Sequence, residues 1–239
     1  MDYLKNLMLS SLTKADLEIL RPHFETTDLK LGQIIFQPDS DIDYVYFPHS
    51  GIISVIIVTP DQRRLEVGIY GRDGIGGTPL LLNADRMPYL HLIQQAGEAS
   101  RVKADVMRAA FAQSPSLLAS LLKHIQVFST QVAHTALANG SFVIEERLAR
   151  WLLMCQDRLD TKILTLTHEF LSMMLAVRRS GVTEAVHSLE GRGIIAASRG
   201  RIEILDRVRL VEIAGSSYGA PEREHILLVG PWTSAQRKI

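Results

Sequence analysis

The chain has 239 residues, 46% of them hydrophobic and 22% charged, and its 26 Lys/Arg balance 26 Asp/Glu to a formal charge of zero. That is the composition of an ordinary globular protein with a real core, arranged as one large or two modest domains. No apolar run reaches the roughly 18 residues of a membrane span, the N-terminus lacks a signal-peptide core, and the single cysteine, Cys155, excludes an internal disulfide or a chain-contained thiolate cage. A cytoplasmic location without a membrane partner is therefore expected.

The neutral total hides an asymmetry. Residues 1–146 carry 12 Lys/Arg against 16 Asp/Glu, residues 147–209 carry 11 against 7, and the last thirty residues carry 3 against 3. A mildly acidic front and a mildly basic back point to different partners for the two parts.

In chain order, residues 12–25 read as a short helix, with Leu12, Leu17, Leu20 and Phe24 on one face and Thr13 placed to cap it. The period then changes. Short β-rich runs alternate with Gly32, Pro38-Asp39, Pro48, Gly51, Pro60-Asp61 and Gly71-Arg72-Asp73-Gly74, and further strands extend to about residue 102. Many short strands at this spacing predict a small β-barrel or β-roll.

From Ala104 the pattern is helical. In "SPSLLASLLKHIQVFSTQVAHTALA", Pro115 fits a first helical turn, and Leu118, Leu122, Ile125, Ser129, Val132 and Ala136 alternate steps of four and three. That is a heptad-like seam. The helix either packs on its own β-domain alone or, the stronger reading, also meets a second subunit. "ANGSF" (Ala138 to Phe142) reads as a break and hinge. "VIEERLARWLLMCQDRL" is the next amphipathic helix, with Leu148, Trp151, Leu152 and Cys155 on one side, so Cys155 reads as core rather than as a reactive thiol.

"LTHEFLSMMLAVRRSGVTEAVHSLEGRGII" (Leu166 to Ile195) contains two short helical patterns. Phe170, Leu171, Met174 and Leu175 give the first an apolar face, and Val182, Val186 and Leu189 are the buried side of the second. Two such helices joined by a tight turn make a helix-turn-helix, whose second helix lies in the DNA major groove with its N-terminal residues toward base edges. Arg178, Arg179, Ser180 and Thr183 stand there. Arginine suits the role because its planar fork bonds guanine O6 and N7 together. Thr167 and His168 are placed for phosphate contact. "GIIAASRGRIEILD" has the form of a β-hairpin with Arg199 and Arg201 at its turn, a basic wing. Asp206 can cap a last short helix, and the tail from Gly215 is read as partly disordered until "HILLVGPW".

The order of these parts, roughly residues 10–213, resembles the Crp/Fnr superfamily of bacterial transcription regulators. "EERLARWLL", the helix-turn-helix stretch and "RGRIEILDRVRL" carry the resemblance. It implies an α+β fold with a β-roll sensor over 1–102, connecting and dimerisation helices over 103–138, a winged helix-turn-helix over 139–213 and a tail over 214–239. It also implies a homodimer on a near-palindromic double-stranded DNA site with recognition helices about 34 Å apart, and RNA polymerase as a further partner. Carried over by position, Arg179 and Ser180 match base-reading places, Arg178 a helix-capping place, and Thr167 and His168 phosphate-contact places. Two positions depart from the pattern. Gly181 replaces a hydroxyl or β-branched residue, at a cost of about 1 kcal/mol in helix propensity, and Glu184 replaces a base-reading arginine, where it could accept from cytosine N4.

Relatives that bind cyclic nucleotide use a glutamate for the ribose and an arginine for the phosphate. In "GIGGTPLLLNADRMPYLHLI" the glutamate's place holds Gly77, Met87-Pro88-Tyr89 stands in the arginine motif, and Arg86 is one residue away, which in a strand turns it to the other face. Cyclic-nucleotide control is therefore not expected. Gly77, Leu80, Leu81, Arg86, Met87 and Tyr89 mark the place of an effector pocket, which Leu80, Leu81, Leu82, Met87, Tyr89 and Leu90 either fill or line for an apolar ligand. The effector is unknown or there is none. His49 and His91 read as ordinary histidines rather than haem ligands, and no cofactor is expected. No nucleophile elbow, metal-spaced ligand set or lysine-bearing phosphate loop marks an enzyme. A competing reading is an effector-binding module whose helix-turn-helix contacts protein.

Overall fold

The computed structural model describes residues 3–232, except Asp160, Thr167 and the side chains of His168 and Glu169. Helices α1 (Leu7–Ser10) and α2 (Lys14–Leu20) open the fold. Thr13 caps α2, its hydroxyl accepting from the Asp16 N–H at 3.1 Å. The helix ends before the expected residue 25. It passes into a 3₁₀ turn over Arg21–His23, where Pro22 has no N–H to extend the α-helical ladder.

Among the described residues seven strands then form the β-roll: β1 (Glu25–Leu29), β2 (Ile34–Phe36), β3 (Tyr44–Pro48), β4 (Ile52–Val58), β5 (Arg64–Tyr70), β6 (Leu90–Gln95) and β7 (Gly97–Lys103). They make two antiparallel sheets, ordered β1-β7-β3 and β2-β6-β4-β5. Leu29, Ile53, Val55, Ile93 and Ala99 pack between them.

Helix α3 (Ala104–Gln113) leads into α4 (Pro115–Ser141), whose N-terminus is capped by the Ser114 hydroxyl. The expected break at Ala138 does not occur. The helix continues through Asn139-Gly140 to Ser141, and only Phe142 and Val143 separate it from α5 (Ile144–Arg158). One glycine costs a helix about 1 kcal/mol, which the buried Ala138 and the preceding turns of packed helix outweigh.

At about 100° per residue α4 presents three faces. Leu117, Leu121, His124 and Gln131 are buried toward the β-roll. Gln131 pins the helix to edge strand β5: its Oε1 accepts from the Ile69 N–H at 2.7 Å and its Nε2 donates to the Ile69 carbonyl at 3.0 Å. Gly68 allows that approach, because a Cβ there would lie 2.8 Å from the Gln131 Oε1 and 2.9 Å from Phe128. The second face meets the C-terminal α9 (Ala220–Leu228). The third holds the predicted seam. In the single chain Leu118, Leu122, Ile125 and Val132 are half-buried, and Ser129 and Ala136 are exposed.

The basic half continues from α5 with β8 (Ile163–Thr165), α6 (His168–Met174), α7 (Arg179–Gly191), β9 (Ile195–Ser198), β10 (Arg201–Ile204) and α8 (Arg207–Ala214). Helix α5 is not simply amphipathic. Every residue from Arg147 to Cys155 is buried, as are Asp157 and Arg158. It is the shared core of both halves, with Leu148, Leu152 and Cys155 in one cluster with Ile52 and Ile69 of the roll and Leu171, Val182 and Leu189 of the helix-turn-helix.

The arginines of α5 have dedicated partners. Arg158 forms a buried ion pair with Asp73 at 2.8 Å and donates to the Met154 carbonyl. Arg150 reaches the Thr135 hydroxyl on α4 at 3.1 Å. The tail takes up structure before "HILLVGPW": Gly215–Ser217 form a 3₁₀ turn and α9 begins at Ala220. Tyr218 donates to Asp157 at 2.6 Å, Arg207 donates to both, and Trp232 lies beneath the Arg158 guanidinium and beside the buried His225.

Glu66 on β5 sits inside this joint, accepting from the Trp151 Nε1 at 2.8 Å. Burial pushes its carboxyl up to about 8, against the opposing pull of its hydrogen bonds and of Arg150 and Arg158. Because the folded value exceeds the unfolded one, the stability this group contributes is fully present below about pH 4.5 and is lost as pH rises through about 8. Glu66→Gln is therefore expected to be more stable than the parent at pH 9 and to flatten the slope between pH 5 and 8 in urea unfolding. An unchanged slope would contradict it.

Candidate nucleic-acid interface

Helix α6 ends in a turn that aims α7. The Val177 N–H returns to the Ser172 carbonyl at 3.1 Å and the Ala176 N–H to the Met173 carbonyl at 3.4 Å, the paired closure of a Schellman motif. Ala176 adopts φ +51°, where a Cβ costs roughly 1–2 kcal/mol. Buried Arg147 of α5 donates to the Leu175 carbonyl, so the turn is held from below by a charge-assisted bond. Ala176→Gly is expected to raise the melting temperature by a few degrees without altering the orientation of α7. A fall would show that the turn's strain lies elsewhere.

Arg178 occupies the N-cap position of α7 at φ −68°, ψ 152°, with no side-chain cap bond. Arg179 and Ser180 are the first two helical residues, and all three are exposed. Thr183 is half-buried, its hydroxyl donating to the Arg179 carbonyl at 3.0 Å. Glu184 is exposed on the next turn. Val182, Ala185, Val186 and Leu189 bury the opposite side. Gly181 faces α5, where a Cβ would meet the Ile144 Cδ1 at 2.9 Å. The missing side chain thus eases a helix–helix contact.

The wing is a two-residue hairpin. Ser198 pairs with Arg201, Gly200 takes φ +73°, and Arg199 is exposed at the tip. Arg201 is exposed and lies 3.4 Å from Glu203. The phosphate contacts assigned to Thr167 and His168 lie outside the described residues. Three contacts brace this surface: Glu190 accepts from the Ala197 N–H at 2.9 Å, and Arg192 and Ser188 both bond Glu145 on α5.

Sequence reasoning missed His187. It is exposed, shares the outward stripe of α7 with Ser180 and Thr183, and lines with Arg199 an open groove of about 430 Å³ between α7 and the wing. Its spacing of four from Thr183 was the available signal.

Residues 146–213 match the profile of the Crp-like helix-turn-helix domain. The chain has the fold of a Crp/Fnr-type transcriptional regulator. Solved structures with this Crp/Fnr fold include FixK2 from Bradyrhizobium japonicum (18% identity, 80% of this chain and 98% of that one, TM-score 0.70). The c-di-GMP-responsive regulator CLP from Xanthomonas campestris matches at 16% identity over 80% and 99%, with TM-score 0.66. A CRP/FNR-family regulator from Thermus thermophilus matches at 21% identity over 80% and 98%, with TM-score 0.64. The Xanthomonas and Thermus neighbours are described as regulators. No curated protein matches the chain. Among the described residues no helix is long and apolar enough to cross a membrane.

The expected effector positions do not stay together. A cavity of about 550 Å³ lies between the roll and α4, and Met87 and Tyr89 line it. Leu80 and Leu81 turn instead into the core with Phe47 and Leu117. The exposed Arg86 guanidinium bonds the Asp39 carbonyl. Gly77, at φ 91°, starts the 3₁₀ turn over Thr78–Leu82 and does not line the cavity. The 3₁₀ turn explains the split, since its residues do not alternate as a strand's would. His49 bonds Ser100 at 2.9 Å and His91 bonds Tyr70 at 2.9 Å, both within the roll.

Proposed function

We propose that this protein is a sequence-specific DNA-binding transcription regulator, acting in the cytoplasm as a homodimer on a near-palindromic operator and without cyclic-nucleotide control. The exposed Arg178-Arg179-Ser180 edge of α7, projecting from a Crp-like helix-turn-helix domain, carries the reading. In it Arg179, Ser180, Thr183 and Glu184 face base edges, and Arg178, Arg199, Arg201, Thr167 and His168 face phosphates. The α4 seam of Leu118, Leu122, Ile125, Ser129, Val132 and Ala136 joins two copies so that their α7 helices enter successive major grooves. Contact with RNA polymerase belongs to the same reading.

Selection from a random duplex pool tests it. The expected result is a two-fold-related pair of half-sites with centres about 10–10.5 bp apart, bound by a dimer, with log affinity falling linearly against log salt. A pool that yields no preferred sequence would overturn the reading.

A further inference from the structure

The cavity between the β-roll and α4 is poorly suited to an anionic nucleotide. Among the described residues no Arg, Lys, Asp or Glu lines it, and Arg86, the nearest basic residue in sequence to its Met87 wall, spends its guanidinium on the Asp39 carbonyl. A phosphate placed there would lose water and gain no charge-assisted bond.

We propose that this cavity binds a neutral, largely apolar small molecule bearing one or two hydrogen-bonding groups, packed directly against α4. The volume of about 550 Å³ falls within the roughly 300–1,000 Å³ of small-molecule sites. Val55 and Val67 from the sheet, Met87 and Tyr89 beyond the 3₁₀ turn, and Phe128 and Val132 from α4 make its walls. The polar groups on this wall are few and uncharged. Tyr70 and His91 are hydrogen-bonded to each other. His124 is 3% exposed, and its Nδ1 has no hydrogen-bond partner. Tyr89 and Ser129, exposed residues of the same wall, carry hydroxyls that a polar group of the ligand can bond. Burial holds His91 and His124 neutral, at about 3 and about 4, which suits an uncharged guest.

Ile125, Ser129 and Val132 belong both to this wall and to the expected dimer seam. Resting on the regulator reading, occupancy therefore acts on the helix that joins the subunits and leads into α5.

The test is fluorescence titration of the full chain with the neutral probe N-phenyl-1-naphthylamine, without DNA. Saturable binding of one probe per chain is expected. Val67→Trp and Ile57→Trp, which fill the cavity from the sheet, should each weaken it at least about tenfold, or about 1.4 kcal/mol. Ile57 is 39% exposed and so tolerates the larger ring should Val67→Trp fail to fold. Cyclic AMP and c-di-GMP should not displace the probe. Non-saturable binding, binding indifferent to both variants, or displacement by either nucleotide overturns the proposal. So does binding that disappears as rising protein concentration drives dimerisation, which would assign the cavity to a second copy's α4. DNA takes no part in the assay, so its failure leaves the DNA-binding reading standing, and a failed operator selection leaves the cavity result standing.

Discussion

Arg179→Ala is expected to lower affinity for the selected operator by roughly 5- to 150-fold, the loss of one bidentate arginine–guanine contact worth about 1–3 kcal/mol. The loss should be position-specific, so that changing the contacted base pair in the operator costs the parent protein but adds little to the variant. Arg178→Ala should behave differently. Arg178 sits at the N-cap position with extended backbone, before the helix begins. Its loss should weaken binding about equally on all sequences and reduce the slope of log affinity against log salt by about 1. Fluorescence anisotropy on matched and mutated duplexes at several salt concentrations separates the two patterns. Identical behaviour of the two variants would show that neither reads bases.

Asp73→Ala is expected to cost about 3–5 kcal/mol of stability, because it strands the Arg158 guanidinium in a site where both side chains are almost wholly buried. For a chain of this size that is a fall of roughly 6–20 °C in melting temperature. Burial alone would raise the Asp73 carboxyl. Arg158, His225, the Gly71 N–H and His124 together hold it below its ordinary value. A depressed carboxylate contributes stability that is present above its unfolded value near pH 4 and is lost as pH falls through the folded value. The parent's acid sensitivity below pH 4 should therefore shrink in the variant. Hydrogen exchange should speed up in α5 and α9 first, since Arg158 of α5 also lies over Trp232, which packs against His225 of α9. A melting temperature within about 2 °C of the parent would show that the pair is dispensable.

The helix-turn-helix was legible because its evidence is local. Leu171, Met174, Val182, Val186 and Leu189 repeat at helical spacing and are buried as that spacing requires. The Thr13 and Asp206 caps, each bonding an N–H three residues ahead, were readable for the same reason. Gly77 and Arg86 were placed by likeness to a family cassette. That showed which residues a nucleotide site would need, but it could not show that Leu80 and Leu81 turn into the core while Met87 and Tyr89 face the cavity.

By itself the sequence determined the alternation of periods, from short strands to a long helix to two short ones, together with the caps, the exposed arginines of α7 and the basic wing. These depend on residues within a turn or a hairpin of one another. Only the tertiary structure decided that Arg147, Arg150 and Arg158 are interior, that α4 runs to Ser141, and that the tail through Trp232 closes over α5. Those outcomes rest on partners far along the chain: Asp73 is 85 residues from Arg158, and Gln131 is 62 from Ile69. An arginine alone in sequence reads as surface, because burying its charge is costly. It becomes interior only when the fold brings a carboxylate or carbonyl to meet it, and no periodicity records that meeting.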